Sequence, residues 1–123
     1  MPKYVDGYVV PVKTKHLKAY FAMSRKAGKV WIDHGALEYR ECGGDDLTVA
    51  WGLPFPKLAK LKKGETVVFA WIVFKSRKDR DRVNAAVMKD RRLAGMMDEA
   101  KKIEMDSKRM TYGGFIAGVD LVA

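Results

Sequence analysis

Apolar positions along this chain follow two rhythms. In some segments they stand at every second residue, and in others they recur every third or fourth. Tyr4, Asp6, Tyr8, Val10 and Val12 point one way along a predicted strand over 4–13, and Val5, Gly7, Val9 and Pro11 point the other. Both sets are mostly apolar. Pro11 has no amide hydrogen for a ladder, which predicts a strand end or an edge there. Leu17, Tyr20, Phe21, Ser24, Ala27, Gly28 and Trp31 then fall on one helical stripe, with Lys15, Lys18, Arg25, Lys26 and Lys29 mainly off it. Thr14 is the expected N-cap, Gly35 the left-handed stop, and His34 sits in the last turn.

A second strand is expected over 36–42, through Leu37, Tyr39 and Glu41, and Gly43-Gly44-Asp45-Asp46 reads as a turn. Residues 47–63, with Trp51, Gly52 and Pro54-Phe55-Pro56, read as irregular with room for a short strand. The unbroken apolar run Val67 to Phe74, rich in β-branched and aromatic residues, predicts a strand over 66–75 buried on both faces. Ser76 followed by Asp79 matches a capping box and opens a helix with Val83, Ala86 and Val87 on its stripe. A looser helical segment follows over 91–102. The last strand is expected over 110–121, where Gly113-Gly114 and Gly118 suggest a bulge or the close approach of another chain.

The order strand, helix, strand, strand, helix, strand gives one domain over 1–123. Its class is α+β: a ferredoxin-like sandwich with helices on one face of an antiparallel sheet. Two helices cover only one face, while the strands are apolar on both. An open apolar face of that extent is abnormal for a monomer. Pairing two such sheets face to face buries about 800 Å² or more per partner, so a homodimer forming an α/β barrel is expected.

Composition adds limits. Hydrophobic residues are 48% and charged residues 32% of 123, as in a folded globular domain. No apolar run approaches the roughly 20 residues of a membrane-spanning helix, and no secretory leader pattern opens the chain, so no membrane role and a cytoplasmic location are expected. Cys42 is the only cysteine, which excludes an internal disulfide. The net charge of +9 is interleaved with acids, as in Arg77-Lys78-Asp79-Arg80-Asp81-Arg82, which reads as a solvated helix face rather than a nucleic-acid surface.

Six blocks together carry a family resemblance. They are Tyr-Val-Asp-Gly-Tyr-Val-Val-Pro-Val (4–12), Lys-Ala-Gly-Lys-Val-Trp (26–31), Asp-His-Gly-Ala-Leu-Glu-Tyr (33–39), Glu-Thr-Val-Val-Phe-Ala-Trp-Ile-Val-Phe (65–74), Val-Asn-Ala-Ala-Val-Met (83–88) and Lys-Arg-Met-Thr-Tyr-Gly-Gly-Phe (108–115). The chain closely resembles the YbaA-like family, a bacterial family of unknown function. The resemblance spans nearly the whole chain. It implies the dimeric α/β-barrel arrangement and no particular reaction. Two departures stand out: Glu104-Met105-Asp106-Ser107 replaces a Met-Pro-Phe-Asp-Gly type segment, and Ile116 replaces a Glu after Gly-Gly-Phe.

Chemistry-bearing residues are few. Asp6, in an apolar strand, is a candidate base, or else a carboxylate bonded to backbone amides or to an Arg or Lys. His34 is a candidate proton shuttle, or else a helix-end residue bonding terminal carbonyls. Trp31, Tyr39, Trp71 and Tyr112 are candidates for an aromatic ligand pocket, or else core. His16 reads as surface and Cys42 as a packed residue. No ligand spacing for a metal, no Walker loop and no G-x-S-x-G motif occurs, so no metal and no cofactor are implied. The expected function is binding of a small apolar or aromatic molecule, with or without transforming it, in a cleft between helices and sheet. The alternative is a non-catalytic interaction protein that uses the basic helix over 75–92 as its contact surface.

Overall fold

The central pair of strands carries the fold. In a computed structural model that describes residues 1–123, β1 (Tyr4–Lys13) and β3 (Glu65–Phe74) pair antiparallel along their whole length, from Tyr4 opposite Phe74 to Lys13 opposite Glu65. β2 (Glu38–Gly43) lies outside β3 and β4 (Thr111–Ile116) outside β1, giving the order β2-β3-β1-β4. This is the expected ferredoxin-like sheet. β4 pairs with β1 only from Tyr4 to Val9. Beyond Val9 one side of β1 is a free edge, and Pro11, without an amide hydrogen, lies there.

Two long helices cover one face. α1 (Leu17–His34) buries Tyr20, Met23, Ser24, Ala27, Gly28 and Val30, largely the predicted stripe. It stops at Gly35, whose φ of 121° only glycine adopts freely. Its start differs from expectation. A 3₁₀ turn, Thr14–His16, comes first, and no side chain caps α1. Thr14 is tied instead through its amide to the carbonyl of Gly64, at the entrance of β3. α3 (Arg77–Met88) begins as its sequence predicts, with the Asp79 amide donating to Ser76 Oγ at 3.1 Å. Val83 and Val87 are wholly buried against Phe74 and Ile72. Burial of this kind stabilises by roughly 1.5–3 kcal/mol per side chain. A 3₁₀ turn and α4 (Met96–Lys102) then pass over α1 and Val12, closing a second cluster of Val10, Val12, Tyr20, Met23, Val68, Ala70 and Ile103.

The opposite face departs from the sequence reading in two ways. Residues 47–63 hold no strand. They contain a short helix, α2 (Phe55–Leu58), and Leu47, Ala59 and Leu61 fold back onto Val9 and Val67. The chain thus covers one end of this face itself. The uncovered part is aromatic: Phe55 packs edge-on against Phe69, Phe69 lies against Trp71, and Phe115 stands 63% exposed beside Gly7. The last strand is also shorter than expected and carries no bulge, since its register with β1 is unbroken from Val9–Thr111 to Tyr4–Ile116. Gly114 does mark a close approach, but of Tyr4 of the same chain, whose ring lies where a Cβ would stand.

Candidate functional site

Between α1, α4 and the helix-facing side of the sheet the side chains leave a cavity of about 430 Å³. Its floor is Tyr8 and Val10 of β1, Tyr39 of β2, and Ala70 and Ile72 of β3; Tyr20, Met23, Ala27 and Trp31 of α1 form one wall. Every methionine except Met1 lines it: Met23, Met88, Met96, Met97, Met105 and Met110. Methionine side chains are unbranched and polarizable, and they adapt to the shape of what they touch. Exposed Met88 and Met97 stand at the mouth.

Arg40, paired with Glu38, and one polar cluster break this apolar lining. Glu41 follows Tyr39 by two residues on β2, so both point to the helix-facing side. Tyr20 donates a hydrogen bond to Glu41 Oε1, Ser24 donates to Oε2, and Tyr39 donates to Oε2 at 2.7 Å. Burial raises the Glu41 carboxyl above its usual range, against the pull of the Tyr20 and Tyr39 hydroxyls. Burial first, and then the Glu41 charge, push both phenols far above the ordinary phenol range. Gly28 of α1 makes room for Tyr39, because a Cβ there would come within 2.6 Å of the Tyr39 ring. Outside the cluster, a groove holding Arg25, Lys29 and Asp33 reaches Ser24, Tyr39 and Glu41 from the solvent side.

A second polar group lies beside the cavity, under α3. Asp6 is fully buried, and Arg80 Nη1 donates to its Oδ1 at 2.8 Å. The same Nη1 donates to the Tyr112 hydroxyl at 3.1 Å, Arg80 Nε reaches Asp81 at 2.8 Å, and the guanidinium lies 4.8 Å from the centre of the Tyr4 ring. Trp31 Nε1 donates to Asn84 Oδ1 at 3.0 Å, which turns the Asn84 amide nitrogen toward Asp6. Burial raises the Asp6 pKa, opposed by the charge of Arg80, the nearby Asn84 amide and the hydrogen bond from Arg80. Asp6 Oδ2 is buried without a good hydrogen bond. Tyr8, stacked on Tyr112 at 4.9 Å, stands between this pair and the cavity.

The sequence-derived candidates separate accordingly. Trp31 and Tyr39 line the cavity. Tyr112 touches it only through Tyr8, and Asp6 belongs to the ion pair with Arg80. Trp71 pairs opposite Gly7 and therefore projects from the other side of the sheet, against Phe69. His34 is not brought to Asp6. Its Nε2 lies 2.8 Å from Asp90 Oδ2, in a surface chain that continues to Arg92 and Asp33. It bonds this carboxylate rather than the terminal carbonyls of α1. His16 is half-buried and lies 2.8 Å from Glu104 Oε2. Glu41, Tyr20, Ser24 and the methionines escaped the sequence reading. An acid two residues from Tyr39 on a strand is the signal that marks Glu41, because strand alternation places it inward.

The predicted basic helix is shorter than 75–92, ending at Met88, and several of its charges are spent internally. Arg80 holds Asp6, Arg82 pairs with Asp79 at 2.8 Å, and Arg92 pairs with Asp90. No group of three or more His, Cys, Asp or Glu side chains is placed to hold a metal ion. No helix is long and apolar enough to cross a membrane.

Residues 3–107 match the model of a protein family described as "Protein of unknown function (DUF1428)". The chain belongs to the DUF1428 family. YbaA of Escherichia coli, an uncharacterized protein, is 37% identical over 118 residues, covering 96% of this chain and 98% of that one, and the Shigella flexneri protein of the same name matches equally. Among solved structures, a dimeric ferredoxin-like protein from an uncultured marine organism superimposes with a TM-score of 0.65 at 12% identity, over 98% of this chain and all of that one (100%). A cofactor-independent oxygenase from Streptomyces nogalater gives 0.56 at 14% identity over 98% of each chain. A nipsnap family protein of unknown function from Agrobacterium tumefaciens gives 0.55 at 14%, over 94% and 88%. At such identities these likenesses establish the fold of this DUF1428 chain, the ferredoxin-like sandwich, and nothing of its chemistry.

Proposed function

We propose that this DUF1428 protein binds a small, largely apolar aromatic molecule in the cavity between α1, α4 and the sheet. The observation that carries this is the cavity itself. Its volume of about 430 Å³ and 15 hydrophobic lining residues out of 18 match the apolar, mostly preformed sites of small ligands, which run from about 300 to 1,000 Å³. Trp31 and Tyr39, 6.0 Å apart between ring centres, offer aromatic faces. The methionines of α4 and of the chain after it form a wall that can adjust to a guest.

The test is the binding of a naphthalene-sized fluorophore to the wild-type chain and to a cavity-filled variant. Ala27 faces the cavity from α1, so Ala27→Leu occupies ligand space while keeping a strong helix former. One fluorophore per chain in the wild type, and a loss of about tenfold or more in Ala27→Leu with the circular dichroism unchanged, supports the reading. Equal binding by both chains sinks it.

The assembly belongs to the same reading. A second copy laid on the uncovered aromatic part of the open face, around Phe69, Trp71 and Phe115, buries the apolar surface that the loop leaves bare. One solved structure with this fold is described as dimeric. Sedimentation equilibrium of the wild type and of Phe115→Glu distinguishes the cases. A dimer that the substitution splits is expected, and a wild-type monomer rejects the pairing. The alternative contact surface on α3 draws less support, because Arg80 and Arg82 are already paired.

A further inference from the structure

Glu41 is the one carboxylate in the wall of a largely apolar cavity, whose other polar lining residues are Ser24 and Arg40. None of the ion pairs of the chain includes it. The neighbouring Arg40 is drawn away to Glu38 at 2.8 Å. The charge of Glu41 is therefore held by hydroxyls alone, and their distribution is uneven. Oε2 accepts from both Ser24 and Tyr39, whereas Oε1 accepts only from Tyr20. A carboxylate offers about four acceptor positions, two on each oxygen. Oε2 is filled, and Oε1 keeps one open.

We propose that the cavity selects aromatic molecules that carry a free hydroxyl, and that this hydroxyl donates its hydrogen bond to the open position on Glu41 Oε1. The proposal rests on the cavity being the ligand site and adds the chemical class it accepts. Apolar walls bury the ring, and the carboxylate reads the substituent. A guest without a donor covers a charged oxygen with apolar surface and gives nothing back, and sites built around a buried polar group reject such analogues strongly. An aryl ether presents only an acceptor to an acceptor. An aryl carboxylate adds a second negative charge, and Arg40, the one cation on the cavity lining, is already paired with Glu38.

The arrangement around Glu41 keeps that oxygen in place. Tyr39 is fixed by packing on Gly28 and by the 3.2 Å approach of Ser24 Oγ to its hydroxyl. The ionisable and polar groups around Glu41 are Tyr20 and Ser24 from α1, with Arg25, Lys29 and Asp33 across the outer groove, Tyr39 and Arg40 from β2 and Tyr8 from β1. Of these, the three bonded hydroxyls all favour the ionised form that accepts. Protonation of Glu41 turns the acceptor into a donor, so the preference for a hydroxyl fades as the pH falls through the Glu41 pKa, which lies above 4.5.

The experiment compares naphthalene, 2-methoxynaphthalene and 2-naphthol binding to the wild type, Glu41→Gln and Tyr20→Phe by ligand fluorescence. In the wild type 2-naphthol is expected to bind about tenfold or more tightly than its methyl ether, the size that a hydrogen bond to an ionised acceptor gives. In Glu41→Gln that ratio collapses while naphthalene binds as before. In Tyr20→Phe, which frees a further position on Oε1, the ratio is kept or grows. Should Glu41→Gln not fold, the wild-type ratio measured against pH takes its place, and a ratio that ignores pH overturns the proposal. Equal binding of naphthol and ether to the wild type, or a ratio that survives Glu41→Gln, overturns it while leaving the cavity as a ligand site. Failure of all three compounds to bind overturns both.

Discussion

Breaking the buried pair of Asp6 and Arg80 from its two ends should give very different results. Asp6 is 0% exposed, and the Arg80 side chain is 13% exposed. Arg80→Met keeps the length and packing of the side chain and leaves a buried carboxylate with Oδ2 already poorly satisfied. Removing one partner of such a pair costs about 3–5 kcal/mol. Unfolding entropy of about 2.1 cal/mol/K per residue over this chain makes 1 kcal/mol worth about 4 °C, so the melting point should fall by about 12–20 °C. Asp6→Asn is nearly isosteric and removes the buried charge. It leaves Arg80 with Asp81 and Tyr112, and the loss should be about 1–2 kcal/mol. The double variant should lose less than the sum, by about 2 kcal/mol, because no unpaired charge remains. The sign with pH is also fixed. Burial raises the Asp6 pKa in the folded chain above the ordinary carboxyl value of 3.8. The cost of ionising it is present above that raised value and relieved as the pH falls through it toward 3.8. The deficit of Arg80→Met, where the opposing charge is gone, should therefore shrink on mild acidification. Denaturant melts of the four proteins at two pH values measure all of this. An Arg80→Met loss within about 1 kcal/mol of Asp6→Asn, unchanged by pH, would mean that no buried charge is stranded when Arg80 is removed.

Other predictions follow from single contacts. Ser76→Ala removes the cap of α3 and should cost about 1 kcal/mol in a thermal melt, with no loss excluding the cap as a determinant. Gly28→Ala gains up to about 1 kcal/mol of helix propensity but overpacks against Tyr39 by about 1–3 kcal/mol, so the variant should be less stable and bind the fluorophore more weakly; a more stable variant with intact binding contradicts the packing of Tyr39 on Gly28. The bonds from Arg109 to Glu65, at 2.7 and 2.8 Å, lower the Glu65 pKa from 4.5 to about 2 against the effect of burial. The stabilisation from Glu65 is thus complete above 4.5 and lost as the pH falls through about 2. In an NMR titration Arg109→Met should return Glu65 toward 4.5, and an unmoved midpoint rules out this cause.

The fold was legible because its signals are local. The apolar run 67–74, the Ser76 and Asp79 cap, and the stop at Gly35 each specify an element without reference to the rest of the chain. The faces were less so. Trp71 shares its strand with Ile72 and Phe74, and only the pairing of Gly7 with Trp71 decides that it leaves the helix-facing side. Asp6 announced itself as an acid in an apolar strand, but its partner lies 74 residues away, in a helix whose other arginines look the same. The cavity was hidden for a similar reason. Its methionines come from α1, from the end of α3, and from α4 and the chain that follows it, and only tertiary assembly gathers them. Residues 47–63 read only as irregular, because Trp51, Leu53 and the prolines mask the pattern by which Leu47, Ala59 and Leu61 return to the sheet.

The most direct test of a ligand site under α1 and α4 is an NMR titration of protein carrying ¹³C-methyl methionine with 2-naphthol. The seven methionines report on two places, the chain terminus and the cavity. Saturable shifts of Met23, Met96, Met105 and Met110 are expected, with Met1 silent. Saturating naphthol that leaves those four methyls unmoved would exclude a ligand site there.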